Sequence, residues 1–238
     1  MSNKKYRIVC LGDTHGRKNW VNIVKKELKS SDKIIFVGDY FDTHDNVSAK
    51  KQISNFKKII EFKKKNSDKV ILLIGNHDFH YLKGIRETYS GYQSVNAMDI
   101  RELLHSVLDI GLMQMCYVYG KYVFTHAGVT KTWCSDSGIN IDNLEESIND
   151  LFKYKPYHFT FNMGGNLSQT GDDVTQGPIW VRPASLMSDM LDNIVCVVGH
   201  TTVKSLGLNE KYPIILIDCL GTSGEYLVIE NDIPKIEK

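Results

Sequence analysis

Short apolar runs alternate with amphipathic segments along the first eighty residues of the chain. Residues 6–11, 33–37 and 69–74 have the length and apolar content of buried strands. Between them, residues 20–28 and 47–65 place apolar side chains at helical spacing. Strands that alternate with helices predict βαβ units and a mainly parallel sheet. Such a sheet is buried on both faces, which explains unbroken apolar runs instead of strict alternation.

The second half of the chain is richer in strand-like segments. The predicted strands are residues 112–119, 122–125, 194–198, 203–208, 214–217 and 226–230, and the predicted helices are 95–108 and 143–152. Residues 153–178 are aromatic at first and then polar and glycine-rich, which predicts a long surface loop. No repeat or linker divides the chain, so residues 1–238 are expected to form one domain.

Composition and charge exclude several classes of protein. Apolar residues make up 42% and charged residues 24%, which is typical of a soluble globular protein and excludes disorder or a coiled coil. The formal net charge of +1 gives no bulk field for a nucleic acid or a membrane surface. Apolar runs such as residues 70–74 are too short to span a bilayer, and no secretory signal is visible.

The five cysteines are odd in number, widely spread and never arranged as C-x-x-C. This pattern excludes a zinc ribbon and a thioredoxin-like redox site. Cys10, Cys196 and Cys219 lie in or beside apolar strand-like runs, where a thiol packs as a small hydrophobic group. We therefore expect reduced, buried cysteines and a cytoplasmic location.

Side chains that can bind metals follow five of the predicted strands directly. Ligands gather at the carboxyl ends of strands in open α/β sheets. Mixed carboxylate and imidazole ligands favour Mn, Fe, Zn or Ni over Mg or Ca. Any one such fragment also occurs in ordinary turns, but five in this order predict a metal site. The five segments are Gly12-Asp13-Thr14-His15-Gly16, Gly38-Asp39-Tyr40-Phe41-Asp42, Gly75-Asn76-His77-Asp78, Thr125-His126-Ala127-Gly128 and Gly199-His200-Thr201.

This series resembles the motifs D-x-H, G-D-x-x-D, G-N-H-D/E, an isolated His and G-H of the calcineurin-like metallophosphoesterase superfamily, over residues 6–230. The resemblance implies a four-layer α/β/β/α fold, in which two central mixed sheets pack face to face with helices outside. It also implies two divalent metal ions, with Mn²⁺ favoured by the ligand types. The implied ligands are Asp13 and His15 for one metal, Asp39 as the bridge, and Asn76, His126 and His200 for the other.

The resemblance also implies how the reaction proceeds. Two metals about 3.5–4 Å apart lower the pKa of a shared water and neutralise charge on the phosphoryl group. His77 is expected to protonate the leaving oxygen, and Asp42 to orient its imidazole. Asp42 could instead cap the helix predicted at residues 47–65. His44 and His80 are expected to be exposed, or to lie beside the ligands, rather than to bind a metal.

The last motif indicates one branch of the superfamily. Some members read G-H-x-H, but here Thr202 replaces the final His, and water is expected in its place. This form resembles phosphoprotein phosphatases and their diadenosine-tetraphosphate hydrolase relatives, as does the segment 217–226. That branch usually has two phosphate-binding arginines, where this chain has Thr43 and Ile74, and Asp78 replaces its Glu.

Two residues are expected to contact the substrate. Arg182 is the candidate substitute for the missing arginines, and the alternative is a structural role in a salt bridge or in stacking on a Trp ring. Tyr40 lies within the second motif, where an aromatic ring could contact substrate. With Phe41 and Phe79, it forms an aromatic group near the expected site.

The sequence thus favours a binuclear-metal phosphoesterase similar to a serine/threonine-protein phosphatase, with a phosphoprotein or another phosphomonoester as its partner. The alternative is a nucleotide or dinucleoside polyphosphate phosphohydrolase, favoured by the missing arginines and by the aromatic residues near the motifs. A scaffold without catalysis is disfavoured because the chain keeps the six implied ligands and the candidate acid. Nucleic acid is disfavoured by the near-zero net charge, and no membrane partner is expected.

Overall fold

The computed structural model describes residues 6–43, 45–161, 171–209 and 213–238. The strands in these ranges are β1 (Arg7–Leu11), β2 (Lys33–Phe36), β3 (Val70–Leu73), β4 (Met113–Gln114), β5 (Tyr117–Tyr119), β6 (Tyr122–Phe124), β7 (Val195–Val198), β8 (Ile214–Leu216), β9 (Tyr226–Glu230) and β10 (Ile233–Glu237). The α-helices are α1 (Trp20–Glu27), α2 (Ala49–Lys65), α3 (Asn76–Phe79), α4 (Ala97–Leu108), α5 (Lys131–Asp136), α6 (Leu144–Tyr154) and α7 (Pro183–Ser188).

The strands form two mixed sheets. The first has the order β10-β9-β1-β2-β3-β4, and the second has the order β5-β6-β7-β8. Strands β1 to β4 run parallel, as do β6 to β8, whereas β5, β9 and β10 pair with their neighbours in antiparallel fashion. The carboxyl ends of β1, β2 and β3 therefore lie at one edge, and those of β6, β7 and β8 lie together in the other sheet.

The two sheets pack face to face, and helices cover their outer faces. In β1, Ile8 and Cys10 belong to the core between the sheets, together with Phe124 of β6. Val9 and Leu11 point the other way, into the cluster that contains the buried residues of the helices. This alternation explains why β1 is apolar at consecutive positions. The predicted α/β fold, with two mixed sheets flanked by helices, is confirmed.

Two strand predictions are wrong in detail. Residues 112–119 do not form one strand, because Asn149 Oδ1 accepts hydrogen bonds from the N–H groups of Met115 and Cys116, at 2.8 and 3.0 Å. The chain leaves the first sheet there and enters the second. Residues 203–208 form no strand, since the N–H of Leu206 donates to the Glu225 carboxylate at 2.8 Å instead of to a neighbouring strand.

The segment 153–178 is less exposed than predicted. Helix α6 runs into it as far as Tyr154, and the Phe159 ring is fully buried against Trp133, with ring centroids 5.5 Å apart. Gln176 is also buried. Both described flanks therefore pack into the fold, while residues 162–170 lie outside the described residues.

All five cysteines are buried and free of disulfides, as predicted. Burial raises the pKa of the Cys10 thiol, so this group stays protonated. Within the described ranges, no helix has both the length and the apolar character needed to cross a membrane.

The core between the sheets should contribute strongly to stability. Phe124 is fully buried there, so Phe124→Ala should lower the free energy of unfolding by about 3–5 kcal/mol, measured by urea denaturation. Val95, which is 93% exposed, offers the control, and Val95→Ala should change the same quantity by less than about 0.5 kcal/mol. Similar losses for both variants would contradict the assigned core.

Candidate functional site

The ends of strands from both sheets meet beside one cavity. The N–H of His15, after β1, donates to the carbonyl of Asp39, after β2, at 2.8 Å. The N–H of Gly199, after β7, donates to the carbonyl of His126, after β6, at 2.9 Å. The cavity has a volume of about 460 Å³. The predicted site residues that line it are Asp13, His15, Asp39, Asn76, His77, Arg182 and His200.

The chain turns sharply at these strand ends. Of the seven non-glycine residues with positive φ in the described chain, four belong to the predicted site: His15, Asp39, Asp42 and His200, with φ between 44° and 60°. Residues with a Cβ rarely adopt this conformation, and such strain is concentrated at functional sites.

Neighbouring glycines allow the close approach of these turns. A Cβ on Gly75 would lie 2.1 Å from Asp39 Oδ1, and one on Gly199 would lie 1.9 Å from Asp13 Oδ1. Only glycine therefore fits at either position without displacing a carboxylate.

The carboxylate of Asp39 lies at the centre of the cluster. Its Oδ1 accepts the N–H of His77 at 2.9 Å, and its Oδ2 lies 3.4 Å from His126 Nε2 and 3.7 Å from His15 Nε2. Burial by itself would raise the pKa of Asp39, but the charges of His126 and His77 outweigh it and hold that pKa below its usual range. Asp39 is therefore ionised although it is buried.

A first group of possible ligands consists of Asp13, His15 and Asp39, whose ligand atoms all lie within 4.8 Å of one another. His15 Nδ1 donates to the carbonyl of Phe41 at 2.7 Å, which leaves the lone pair of Nε2 facing the two carboxylates. Burial lowers the pKa of His15, which favours the neutral imidazole that a metal requires. Burial and the negative charges of Asp218 and Asp39 raise the pKa of Asp13. A cation would relieve that repulsion.

A second group surrounds the side-chain oxygen of Asn76. His126 Nε2 lies 2.9 Å from this oxygen, and His200 Nδ1 lies 3.0 Å from it. The other ring nitrogens are satisfied, because His126 Nδ1 donates to the Val37 carbonyl at 2.9 Å and His200 Nε2 donates to the Trp180 carbonyl at 3.1 Å. The lone pairs of the Asn76 oxygen thus face those of two imidazole nitrogens, an arrangement that needs a proton or a metal cation between them.

The pKa of His126 also indicates an excess of negative charge around this second group. Burial lowers the pKa of His126, but the carboxylates of Asp39 and Asp13 outweigh it and raise this pKa to about 9. The same field that attracts a proton attracts a divalent cation in its place. Since the two groups share Asp39 and consist of carboxylate, amide and imidazole ligands, the residues fit a pair of cations.

His77 and Asp42 lie beside this cluster as a hydrogen-bonded pair. His77 Nδ1 lies 3.3 Å from Asp42 Oδ2, and the imidazole lines the cavity. Burial lowers the pKa of His77, but the charges of Asp39 and Asp42 raise it to about 9. The alternative of Asp42 as a helix cap is wrong, because α2 begins after Ser48.

The surroundings of Asp42 were missed by the sequence analysis. His80 Nε2 and the Tyr81 hydroxyl both donate to its carboxylate at 2.5 Å, and Gln93 Nε2 donates to it at 2.8 Å. Of the two alternatives expected for His80, exposure is wrong, because the side chain is buried and lies beside the proposed site in contact with Asp42. His44 lies outside the described residues. The only signal in the sequence is a histidine within the apolar segment Phe79-His80-Tyr81-Leu82.

Asp78, the last residue of the G-N-H-D motif, connects two of the strand ends. Its buried carboxylate accepts the backbone N–H groups of Asp39, Tyr40 and Gly75 at 2.8, 2.8 and 2.9 Å. Burial and the nearby charge of Asp39 raise its pKa to about 7. A carboxylate at this position therefore fixes the turns after β2 and β3.

Of the two residues expected to contact substrate, Arg182 lies at the cavity and Tyr40 does not. Arg182 lines the cavity, and its charge contributes to lowering the pKa of His200, after the larger effects of burial and His126. The side chain of Tyr40 is buried instead, with its hydroxyl donating to the Leu73 carbonyl at 3.0 Å. This corrects the expectation for Tyr40, and the rings of Phe41 and Phe79 are fully buried as well.

The cavity also contains polar residues that the sequence analysis did not assign. Thr202 stands where some relatives have a histidine, and its hydroxyl donates to Asp218 Oδ2 at 2.6 Å. Asp218 follows β8, so a sixth strand end contributes to the cavity. Its position after an apolar strand was the signal that could have identified it.

Comparisons with known proteins agree with this geometry. The sequence matches the model of the calcineurin-like phosphoesterase family over residues 6–204, which confirms the resemblance indicated by the motifs. A search of curated proteins found no significant match.

Several solved structures are similar to the chain. One is a cold-active protein-tyrosine phosphatase from a psychrophilic Shewanella species, with a TM-score of 0.61 and 20% identity, covering 98% of this chain and 80% of that one. Another is a protein serine/threonine phosphatase from Saccharomyces cerevisiae, with a TM-score of 0.58 and 14% identity, covering 99% and 80%. A metallophosphoesterase from Sphaerobacter thermophilus has a TM-score of 0.53 and 14% identity, covering 98% and 87%. At these identities the likeness shows the fold.

Metal binding can be tested without any assay of activity. Elemental analysis after desalting should find two divalent ions per chain in the wild type. Asp39→Asn removes the negative charge shared by both groups and should lose both ions, whereas Asp13→Asn should weaken one. Asp192→Asn is the control, because that side chain is 81% exposed. Two ions retained in Asp39→Asn would exclude a bridging role.

Proposed function

The chain belongs to the calcineurin-like phosphoesterase family and is therefore a hydrolase of phosphate esters, and we propose that it hydrolyses phosphomonoesters at a binuclear metal centre, as serine/threonine-protein phosphatases do. The proposed metal ligands are Asp13, His15, Asp39, Asn76, His126 and His200. Mn²⁺ is the proposed ion, since three of these six ligands are imidazoles.

One observation supports this proposal most directly. The oxygen of Asn76 faces the free nitrogens of His126 and His200, at 2.9 and 3.0 Å, within reach of the ionised Asp39. Divalent cations bound there would lower the pKa of a water molecule and neutralise the charge of the phosphoryl oxygens. A fold without catalysis would have no reason to keep these lone pairs together.

His77 is the proposed general acid. Its Nδ1 is bonded to Asp42, so Nε2 is the atom available to give a proton to the leaving oxygen. Asp42 fixes the tautomer and the orientation of the ring, and it also favours the protonated form. His80 and Tyr81 hold that carboxylate in place from the other side.

Arg182 is the proposed phosphate contact. Ile74 stands where relatives have a phosphate-binding arginine, and it is buried, so no cation can come from that position. Arg182 lines the cavity beside the proposed ligands, where a guanidinium can form paired hydrogen bonds with phosphoryl oxygens.

The proposed partner is a phosphorylated protein or another phosphomonoester. A nucleotide or dinucleoside polyphosphate is the alternative, favoured by the absence of the paired arginines. The aromatic residues first associated with that alternative, Tyr40, Phe41 and Phe79, are buried and give it no support. The five free cysteines support a reducing, cytoplasmic location as part of the proposal.

Dependence on metal tests the proposed function directly. Chelation with EDTA should abolish hydrolysis of p-nitrophenyl phosphate, and Mn²⁺ should restore it better than Mg²⁺, because imidazole ligands favour the softer ion. Initial rates at matched concentrations of free metal give the measurement. Full activity in a preparation free of metal would exclude the proposal.

The role of His77 can be separated from metal binding through the leaving group. His77→Asn should keep both metals and lower turnover of an alkyl phosphate by ~10²–10⁴-fold. The loss should be smaller for p-nitrophenyl phosphate, whose leaving group needs no proton. Asp42→Asn should show a weaker defect of the same kind, and His158→Asn serves as a control outside the cavity.

Other outcomes would reassign His77. A fall of metal content in step with activity would make it a ligand. Equal losses for alkyl and p-nitrophenyl substrates, with both metals retained, would make it a phosphate-positioning group instead of an acid.

A further inference from the structure

Three aromatic side chains line the cavity beside the proposed metal ligands, and neither the motifs nor the proposed mechanism uses them. They are Tyr89, Phe161 and Trp180, which we call the aromatic wall. Tyr89 and Trp180 have ring centroids 4.3 Å apart, and those of Phe161 and Trp180 are 5.4 Å apart. Tyr89 and Phe161 are only partly buried, so they have surface to offer a ligand.

The aromatic wall is held rigidly. The indole N–H of Trp180 donates to the Phe159 carbonyl at 2.9 Å, and the N–H of Phe161 donates to the Tyr89 hydroxyl at 3.2 Å. That hydroxyl in turn donates to the Glu87 carboxylate. These polar atoms therefore form hydrogen bonds within the protein, and the aromatic wall can offer a ligand only apolar ring surface.

Residues of the aromatic wall also contact a proposed metal ligand, His200, and a neighbour of Asp42, His80. The Trp180 carbonyl accepts the hydrogen bond of His200, and the two rings have centroids 6.2 Å apart. The N–H of Tyr89 donates to Nδ1 of His80, at 3.2 Å, and His80 donates to Asp42. The wall therefore lies one ring contact away from a proposed metal ligand and from the residues that orient His77.

We propose that the aromatic wall is a subsite for a flat ring bonded directly to the ester oxygen, so that the preferred substrate class is aryl phosphates, such as the side chain of phosphotyrosine. Flat apolar rings stack favourably against fixed aromatic side chains. Because the aromatic wall lies next to the proposed ligands, a ring attached directly to the ester oxygen can reach it. The base of a nucleotide is held further from the phosphate by its sugar. This inference rests on the proposed function and specifies its substrate.

The chemical step for such a substrate balances without a further reactant. The oxygen of water bonds to phosphorus and releases one proton to the solvent, from which His77 recovers the proton it gives up. The bond between phosphorus and the phenolic oxygen breaks, and that oxygen leaves with its electron pair. The phenolic oxygen takes a proton from His77 and leaves as a phenol, while the aromatic wall holds its ring.

Binding of the ring can be measured apart from catalysis with phosphonates, which are not hydrolysed. Benzylphosphonate, in which a CH2 group replaces the ester oxygen, should inhibit the Mn²⁺-loaded wild type with a Ki at least about tenfold lower than that of methylphosphonate, because burial of a ring adds binding free energy. Phe161→Ala and Tyr89→Leu should each reduce this preference several-fold and leave the Ki of methylphosphonate unchanged. Tyr157→Ala, which removes a ring that is 61% exposed, should retain the preference.

Turnover gives the second measurement. Phe161→Ala should lower kcat/KM for a phosphotyrosine peptide about tenfold and leave that for the matched phosphoserine peptide within twofold. Equal losses for both peptides, or no preference for benzylphosphonate in the wild type, would overturn the subsite. A larger loss of kcat/KM for AMP than for the phosphotyrosine peptide would show that the ring is a nucleobase and would also overturn it. If the proposed function itself were wrong, the result would differ, because no phosphoester would be hydrolysed with any metal.

Discussion

The buried, ionised carboxylate of Asp39 is the constraint around which the site is built. It accepts one backbone N–H from the turn after β3 and faces imidazoles from β1 and β6, so three strand ends converge on a single charge. A buried carboxylate is costly unless donors or cations surround it. The positive φ of Asp39 and the close approach of Gly75 accompany its placement there, and its charge raises the pKa of His126.

Face-to-face packing of the sheets makes this convergence possible. Asp13, His15, Asp39 and Asn76 follow strands of the first sheet, whereas His126 and His200 follow strands of the second, so neither sheet alone contains all of the proposed ligands. Asp78 holds the turns after β2 and β3 together through three backbone N–H groups. The core between the sheets therefore sets the distances between the proposed ligands of the two sheets.

The segment between His80 and Gln93 links the chemistry to the shape of the cavity. His80, Tyr81 and Gln93 bind the carboxylate of Asp42, while Tyr89 bonds to His80 and contributes its ring to the aromatic wall. One segment thus orients the proposed acid and forms part of the surface that would hold its leaving group.

The sequence by itself determined the βα units of the first half, the strand-rich second half and the identity of the groups at the strand ends, whereas the two packed mixed sheets were implied only by the resemblance of its motifs to a known family. Parallel strands end on the same side, so polar residues placed directly after apolar runs must lie near one another. Only the tertiary structure decided where each side chain points: Tyr40 turns into the core, His80 turns toward Asp42, and Asp218 reaches the cavity from β8. It also divided residues 112–119 between two sheets. These outcomes depend on partners far away in sequence, such as Asn149 for that division, and local periodicity contains no information about them.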